Sequence, residues 1–336
     1  MRFGIAIPTC MEGLMYPIPF FNNISDIIRM CKEAEVLGFD SVWGNEHITR
    51  QSYVKNEWPQ LPRYYEPMIL LSYVAAMTDK IKLGTGIIPL PLRDPVLLAR
   101  QISVLDNLSN GRTILGVGLG AYREEYKAQN TTFSLKNRRK MLEEALEALI
   151  ELLTKEEASF DGTFYNFSRI ELSPKPVQVN LPIYIGGNAL NNIKRAIKYG
   201  IGWFPAGLTP QELNYATSQL KEYSYAYEKE SSKIDIAPQL AVCIAKTHDK
   251  AIKKYRSSQI YAHDLSLKNS TLKQQDIENL EERDLIGTVN EITGKIEEYQ
   301  VVGIDHLPAL IFVGNTITEV SEDMRLFARE IIPSFS

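Results

Sequence analysis

The sequence predicts an α/β protein folded as a single (β/α)8 TIM barrel over residues 1–336, with insertions at its C-terminal face. Three observations carry the prediction. Short apolar runs bounded by Gly or Pro alternate with longer amphipathic segments from one end of the chain to the other, the pattern of βα units around a parallel sheet. Eight such runs occur, the strand number of that barrel. No repeat, low-complexity tract or interdomain linker interrupts the alternation, and such barrels use about 250 residues or more as one domain.

The expected strands are Arg2–Ile7, Asp40–Trp43, Ile81–Thr85, Thr113–Val117, Pro182–Ile185, Ile201–Phe204, Pro238–Ala245 and His306–Phe312, with a helical pattern after nearly every one. Helix starts are read at Ser25 before DIIRMCKEAEVL, at Pro67, at Pro95 and at Asn137, the last opening a long amphipathic run to Leu153. Pro suits a first turn, and Ser or Asp a cap. Gly38 and Gly111 suit helix ends. Two stretches exceed an ordinary βα loop: Ile48–Tyr65, rich in aromatics and Pro, and the polar Ala262–Thr288. In a barrel both overhang the C-terminal face, where active sites lie, although surface insertions of no function read the same.

Composition narrows the function. With 44% hydrophobic and 23% charged residues and three cysteines in 336, the chain is neither disordered nor a disulfide scaffold. Its 37 Lys and Arg against 41 Asp and Glu leave a net charge of −4, without the basic excess that nucleic acid requires. Cys10, Cys31 and Cys243 are far apart and form no CxxC, which argues against a disulfide framework or a cysteine zinc site and for a reducing compartment. No apolar stretch approaches the ~20 residues that span a bilayer, and the N-terminus lacks a signal-peptide core. The expected location is the cytoplasm, with no membrane or nucleic-acid partner.

Three local patterns carry chemistry. Gly116-Val-Gly118-Leu-Gly120 follows a strand but has GxGxG spacing, and Arg138-Arg139-Lys140 stands about 20 residues on, where a dinucleotide fold places an acid; glycines that let the backbone pass close to a flat ligand or a neighbouring strand explain it equally. Ile185-Gly186-Gly187-Asn188 ends the fifth strand just before the helical run Leu190–Tyr199, a geometry whose free N–H groups bind phosphate and which a tight structural turn shares. His47 follows Glu46 at the end of the second strand, where a barrel displays side chains to its site; it is a proton-transfer candidate or a structural hydrogen bonder. His248, His263 and His306 are scattered, so no metal ligand set is expected.

Taken in order, the segments RFGIAIP, GFDSVWGNEH (38–47), KIKLGTGIIPLPLRDPVLLARQISVLDNLSNGR (80–112), LGVGLGAYREEY (115–126), FDGTFYNF (160–167), PKPVQ (174–178) and IYIGGN…AIKYGIGWFP resemble the bacterial luciferase-like family of flavin and deazaflavin oxidoreductases over nearly the whole chain. The resemblance implies that an isoalloxazine-type ring lies at the C-terminal mouth. It makes His47 the catalytic histidine and Glu46 the acidic residue before it. It places Thr85, Gly86 and Ile87 at a third-strand bulge with a non-proline cis peptide at Gly86–Ile87. Gly118, Leu119 and Tyr122 then flank the cofactor tail, and Gly186, Gly187 and Asn188 form the phosphate loop. Luciferase has a phosphate-binding arginine where this chain has Leu119, and the sugar-phosphate-oxidising deazaflavin enzymes have a glutamate where it has Ala121. Arg123 is a candidate for the missing charge, or simply an exposed arginine at a helix start.

The activity so implied is a monooxygenase that takes reduced FMN from a separate flavin reductase and uses oxygen to oxidise a small organic substrate. The alternative is hydride transfer with coenzyme F420, whose subgroup the LTPQEL segment at 208–213 resembles. A third possibility is a flavin-binding protein without turnover. Trp58, Tyr53, Tyr64 and Tyr65 suggest an aromatic, largely apolar pocket. The family's habit of pairing through early helices implies a homodimer by Pro67–Met77 and Pro95–Leu108, whose apolar residues core packing also explains.

Overall fold

The computed structural model describes residues 1–129, 136–226, 234–273, 275 and 277–335. Its sheet is built from β1 (Arg2–Ile7), β2 (Ser41–Gly44), β3 (Lys82–Thr85), β4 (Thr113–Gly118), β5 (Ile183–Gly186), β6 (Gly202–Phe204), β7 (Ala241–Ile244) and β8 (His306–Phe312). Strands β1 to β6 pair in parallel in chain order, and β1 pairs with β8 and β8 with β7, also in parallel. The eight strands match the expected runs to within a few residues.

The seventh strand, expected over 238–245, spans Ala241–Ile244, and a short strand outside the expected run precedes it. Asp235–Ile236 pairs with β6, and Ala241–Ile244 pairs with β8. Between them Ala237 N–H donates to Trp203 O at 2.9 Å, Gln239 N–H donates to Pro205 O at 2.8 Å, and Leu240 O accepts from Ile311 N–H at 3.0 Å. Pro238, with no N–H, sits where the ladder passes from one neighbour to the other, a position that tolerates proline. This segment thereby joins both edges of the sheet and closes the barrel. Leu285–Gly287 adds a short parallel strand outside β7.

Helices follow the strands as expected. Pro67 and Pro95 occupy first turns, capped by the Glu66 and Asp94 carboxylates. The first helix, Ile24–Val36, is capped by Asn23 instead of Ser25, because the Asn23 side chain and Asp26 close a reciprocal capping box. The long run is helical over Arg138–Thr154. A hairpin of Glu157–Asp161 and Asn166–Glu171 was not expected; the Glu144 carboxylate accepts from the backbone N–H groups of Thr163, Phe164 and Tyr165 at its turn.

Inside the barrel the Trp43 and Phe204 rings stack at 5.1 Å. Beneath them, at the N-terminal ends of the strands, lies a polar knot. The Asp235 carboxylate accepts from the Tyr184 hydroxyl, from Arg2 at 3.0 Å and from His306 Nδ1 at 2.7 Å. Burial pushes the Asp235 carboxyl up, but the hydrogen bond and charge of His306, with those of Arg2 and Tyr184, outweigh it and hold the group at about 2 against an ordinary 3.8. A depressed carboxyl stabilises the fold above its unfolded value and loses that contribution as pH falls through the folded one. Asp235 is therefore expected to contribute about 2 kcal/mol at neutral pH, lost between about pH 4 and pH 2. Thermal melts of Asp235→Asn against wild type across that window check this; a deficit unchanged at low pH would refute the linkage.

Candidate active site

The parallel barrel brings the C-terminal ends of its strands to one rim, so the loops after β2, β3, β4 and β5 face one another. After β2 the chain delivers Glu46 and His47 in succession, and their side chains make separate contacts. Glu46 binds Arg93, which also reaches Glu66 at 2.5 Å. Burial raises the Glu46 carboxyl above its ordinary value despite Arg93. None of these contacts involves the His47 imidazole. His47 instead presents Nδ1 to Glu125 Oε1 at 3.0 Å, with the Gln51 amide nitrogen 3.3 Å from the same ring nitrogen. The His47 and Glu125 side chains are largely buried, at 12% and 2% exposure. No described residue hydrogen-bonds Nε2.

Glu125 lies on the short helix Arg123–Gln129 that follows β4. Its Oε1 also accepts from Ile48 N–H at 3.0 Å and lies 3.4 Å from Gln51 Nε2. Its neighbour Glu124 accepts from the backbone and hydroxyl of Ser52. Two adjacent glutamates thus hold the start of the first insertion against the β4 loop.

The Gly86–Ile87 peptide bond is cis, as the resemblance implies. The Thr85 hydroxyl both donates to Gly116 O and accepts from Gly116 N–H at 2.8 Å, tying β3 to β4. The half-buried Ile87 side chain lies over the ends of β4 and β5. A Cβ on Gly186 would come within 2.8 Å of it, and one on Gly118 within 3.3 Å. Gly187 has φ +107° and donates to Phe204 O, and its own carbonyl accepts from Trp203 Nε1. The Asn188 amide exchanges hydrogen bonds with the backbone of Ala206 at 2.8 and 2.9 Å, so it hooks the β5 loop to the β6 loop. The helix that follows, Leu190–Tyr199, has Ala189 at its cap and no side chain on its first N–H groups. Leu119 packs on the core and its carbonyl accepts from Tyr126. Arg123 is exposed at its helix start.

The two insertions meet over the mouth. The first contains the helix Ser52–Glu57, and the helix Gln259–Ser266 leads into the second, of which positions 274 and 276 lie outside the described residues. Tyr122, beside His47 with ring centroids 5.6 Å apart, has its hydroxyl 3.1 Å from His263 Nδ1 and 3.1 Å from Ser266 Oγ. The Tyr53 hydroxyl lies 3.2 Å from the same His263 nitrogen, and Gln259 bonds Gly13 O and Glu57. Burial, reinforced by His47, lowers His263 to about 3, so it is neutral near pH 7. Burial raises Tyr53 to about 12 and lifts Tyr122 well above its ordinary value, so both stay protonated. Cys10, under the His47 carbonyl, is likewise pushed up to about 12 by burial and is no nucleophile. Beneath this roof a cavity of about 40 Å³, room for a water or two, is lined by apolar side chains such as Ile260 and Ile311 and by the polar His263, Asp264, Arg283 and Asp284.

The roof is anchored by a pair of carboxylates. The Tyr255 hydroxyl lies 2.7 Å from Asp264 and 3.3 Å from Asp284, while Asp284 also accepts from Ala241 N–H at 2.6 Å. Burial raises both carboxyls; repulsion from Asp284 adds to it at Asp264, whereas at Asp284 the Ala241 N–H and the Lys295 charge oppose it without cancelling it. Stability from a raised carboxyl is present at low pH and is lost as pH rises through the folded value. Asn at 284 would keep the carbonyl acceptor for Ala241 and offer an N–H to Tyr255. Asp284→Asn is therefore expected to melt no lower than wild type, or a few degrees higher, at about pH 8, with the advantage shrinking in acid; a lower melting temperature at pH 8 would refute it.

The structure brings His47, the bulge and the glycine loop, all singled out in the sequence, to one rim, and adds to them Glu125 and His263, which were not. The only sequence signal for Glu125 is its place in the REEY run after the β4 glycines. His263 has none. Among the described residues no group of three or more His, Cys, Asp or Glu is placed to hold a metal ion, and no helix is long and apolar enough to cross a membrane.

The model of the luciferase-like monooxygenase family matches residues 1–306. An F420-dependent glucose-6-phosphate dehydrogenase of Amycolatopsis mediterranei is 25% identical over 89% of this chain and 93% of its own. Among solved structures, the monooxygenase RslO1 from Streptomyces bottropensis superposes with a TM-score of 0.81 at 21% identity, over 100% of both chains. An F420-dependent secondary alcohol dehydrogenase superposes with a TM-score of 0.79 at 20% identity, also over 100% of both.

Proposed function

Because this chain belongs to the luciferase-like monooxygenase family, an oxidoreductase family, we propose that it is a monooxygenase that binds reduced FMN, supplied by a separate reductase, at the barrel mouth and oxidises a small, largely apolar organic substrate with oxygen. Reduced FMN, when bound, supplies the electrons for oxygen activation. The residues present fit such a group. Ile87, with glycines beside it at 118 and 186, offers an apolar support for a flat ring. The uncapped N–H groups at Leu190–Tyr199, approached through Gly187, suit its phosphate. Leu119 carries no charge, so the cationic contribution there falls to Arg123.

The observation that carries the oxygenase reading is the roof, where Tyr53, Tyr122, Ser266 and His263 join the two insertions and bury the His47 side chain. Such a closure excludes water, which protects reactive oxygen chemistry from hydrolysis. His47, under the roof with Nε2 uncommitted, moves the proton. Glu46 acts at one remove, through the Arg93 and Glu66 network that fixes the loop before it. The second reading is hydride transfer with coenzyme F420, favoured by the Amycolatopsis relative matched over nearly its full length. The three buried, unpaired thiols suit the cytoplasm.

Titration with FMN and with coenzyme F420, oxidised and reduced, followed by exposure of each reduced complex to oxygen, tests the reading. Preferential binding of reduced FMN with rapid oxygen consumption is expected. Preferential F420 binding without an oxygen reaction would replace it by the hydride-transfer reading. Binding without turnover of any substrate would leave a flavin carrier. His47→Ala should lower turnover by about 10²-fold or more while leaving cofactor affinity within a few-fold; equal losses in both would count against a proton-transfer role.

Ile69, Tyr73 and Met77 on Pro67–Met77, with Leu97, Val104 and Leu108 on the neighbouring Pro95–Leu108, are exposed. Two adjacent helices carrying six large apolar side chains form a face that a second copy of the chain would cover about a two-fold axis. Ile69→Glu combined with Leu97→Glu should turn a dimer into a folded monomer by light scattering; a monomeric wild type would refute the pairing.

A further inference from the structure

The His47–Glu125 contact fixes more than a position. Glu125 Oε1 already accepts from Ile48 N–H at 3.0 Å, with the Gln51 amide nitrogen 3.4 Å away. Those groups are donors, so this oxygen acts as an acceptor, and a carboxylate has no hydrogen of its own to give. The third partner is His47 Nδ1 at 3.0 Å, which also has the Gln51 amide nitrogen 3.3 Å away; an unprotonated Nδ1 would set its lone pair against the carboxylate at the shorter of the two distances, so Nδ1 supplies the hydrogen to Glu125 and the Gln51 N–H turns to the same carboxylate oxygen. In a neutral imidazole only one nitrogen carries hydrogen, and the bond made by one nitrogen decides the role of the other. We propose that Glu125 is the positioning residue that holds His47 as the Nδ1–H tautomer, so that its lone pair, and hence its proton exchange with a reacting group, lies at Nε2.

Burial gives the arrangement its force. At 2% exposure Glu125 has almost no water to compete for its charge, and the imidazole is enclosed by the Tyr64 and Tyr122 rings. When Nε2 takes a proton, one N–H bond forms there, the donor's bond to hydrogen breaks, and the positive charge of the imidazolium faces the Glu125 carboxylate across the unchanged Nδ1–H. Release of that proton from Nε2 restores the starting tautomer. Glu124 plays a different part: it bonds Ser52 and not the histidine. The inference rests on the proposed placing of His47 at the reacting centre, but the tautomer itself can be measured without any cofactor.

The chain has only four histidines, so imidazole nitrogen NMR on the uniformly labelled full-length protein at mildly alkaline pH resolves them, with His47→Asn assigning the signal. In wild type the His47 Nδ1 resonance is expected in the protonated range and Nε2 in the unprotonated range. Glu125→Gln, whose amide oxygen can still accept, should keep that pattern. Glu125→Ala should lose it, giving a mixed or Nε2–H tautomer in a protein whose circular dichroism is unchanged. With a productive cofactor, Glu125→Ala should also lower kcat by about 10²-fold with cofactor affinity unchanged within a few-fold, Glu125→Gln falling less. An Nε2–H or mixed tautomer in wild type overturns the proposal, as does an unchanged Nδ1–H tautomer in folded Glu125→Ala. If Glu125→Ala does not fold, the wild-type tautomer alone decides. Failure of every cofactor to support turnover would sink the functional reading while leaving the tautomer measurement to stand or fall separately.

Discussion

Every part of this molecule depends on closure of its parallel sheet. A parallel strand left at an edge would expose a row of backbone N–H and C=O groups, and the chain removes that problem with residues 235–244, which pair with β6 in their first half and with β8 in their second. Closure also forces all eight strands to end at a common rim. His47, Ile87, Tyr122 and Gly187, which follow four different strands, become neighbours of one mouth for that reason alone. The opposite ends are held by the buried Asp235, whose partners Arg2, Tyr184 and His306 come from β1, β5 and β8.

A rim by itself would be open to water, and the two insertions change that. Their polar contacts are few but enclosed, with Tyr53, Tyr122 and His263 sharing hydrogen bonds in a setting where an unsatisfied group would cost about 1–3 kcal/mol. Glu124 and Glu125 anchor the first insertion from below, while Asp264, Asp284 and Tyr255 anchor the segment that forms the other half. The roof therefore rests both on these hydrogen-bonded groups and on buried apolar residues such as Val54, Ile260 and Leu267, which pack on the core.

Much of the fold was legible because βα alternation is a local pattern. Eight apolar runs, Pro67 and Pro95 at first turns, and Gly38 and Gly111 after helices all say where elements begin and end. The departures have local causes of another kind. Asn23 wins the cap from Ser25 because Asp26 stands three residues on to close the box, and Pro238, lacking an N–H, stands between two short strands instead of opening the seventh. The hairpin at 157–171 escaped because its strands are short and half exposed, with one residue too many between Phe167 and Ile170 for a clean alternation in the second. At the site, the motif residues were visible, yet Thr85, Asn188 and Glu46 have their polar groups committed to Gly116, Ala206 and Arg93.

The sequence by itself determined the fold class, the family and the strand ends from which a site would be built, since each is written in short-range spacing and in the order of motifs. Only the tertiary structure decided which side chains meet there. Glu125 lies 78 positions from His47, and His263 lies 210 from Tyr53. Periodicity carries information about neighbours along a helix or strand, whereas these pairs become neighbours only after the ring has closed and the insertions have crossed it, so no local pattern could have recorded them.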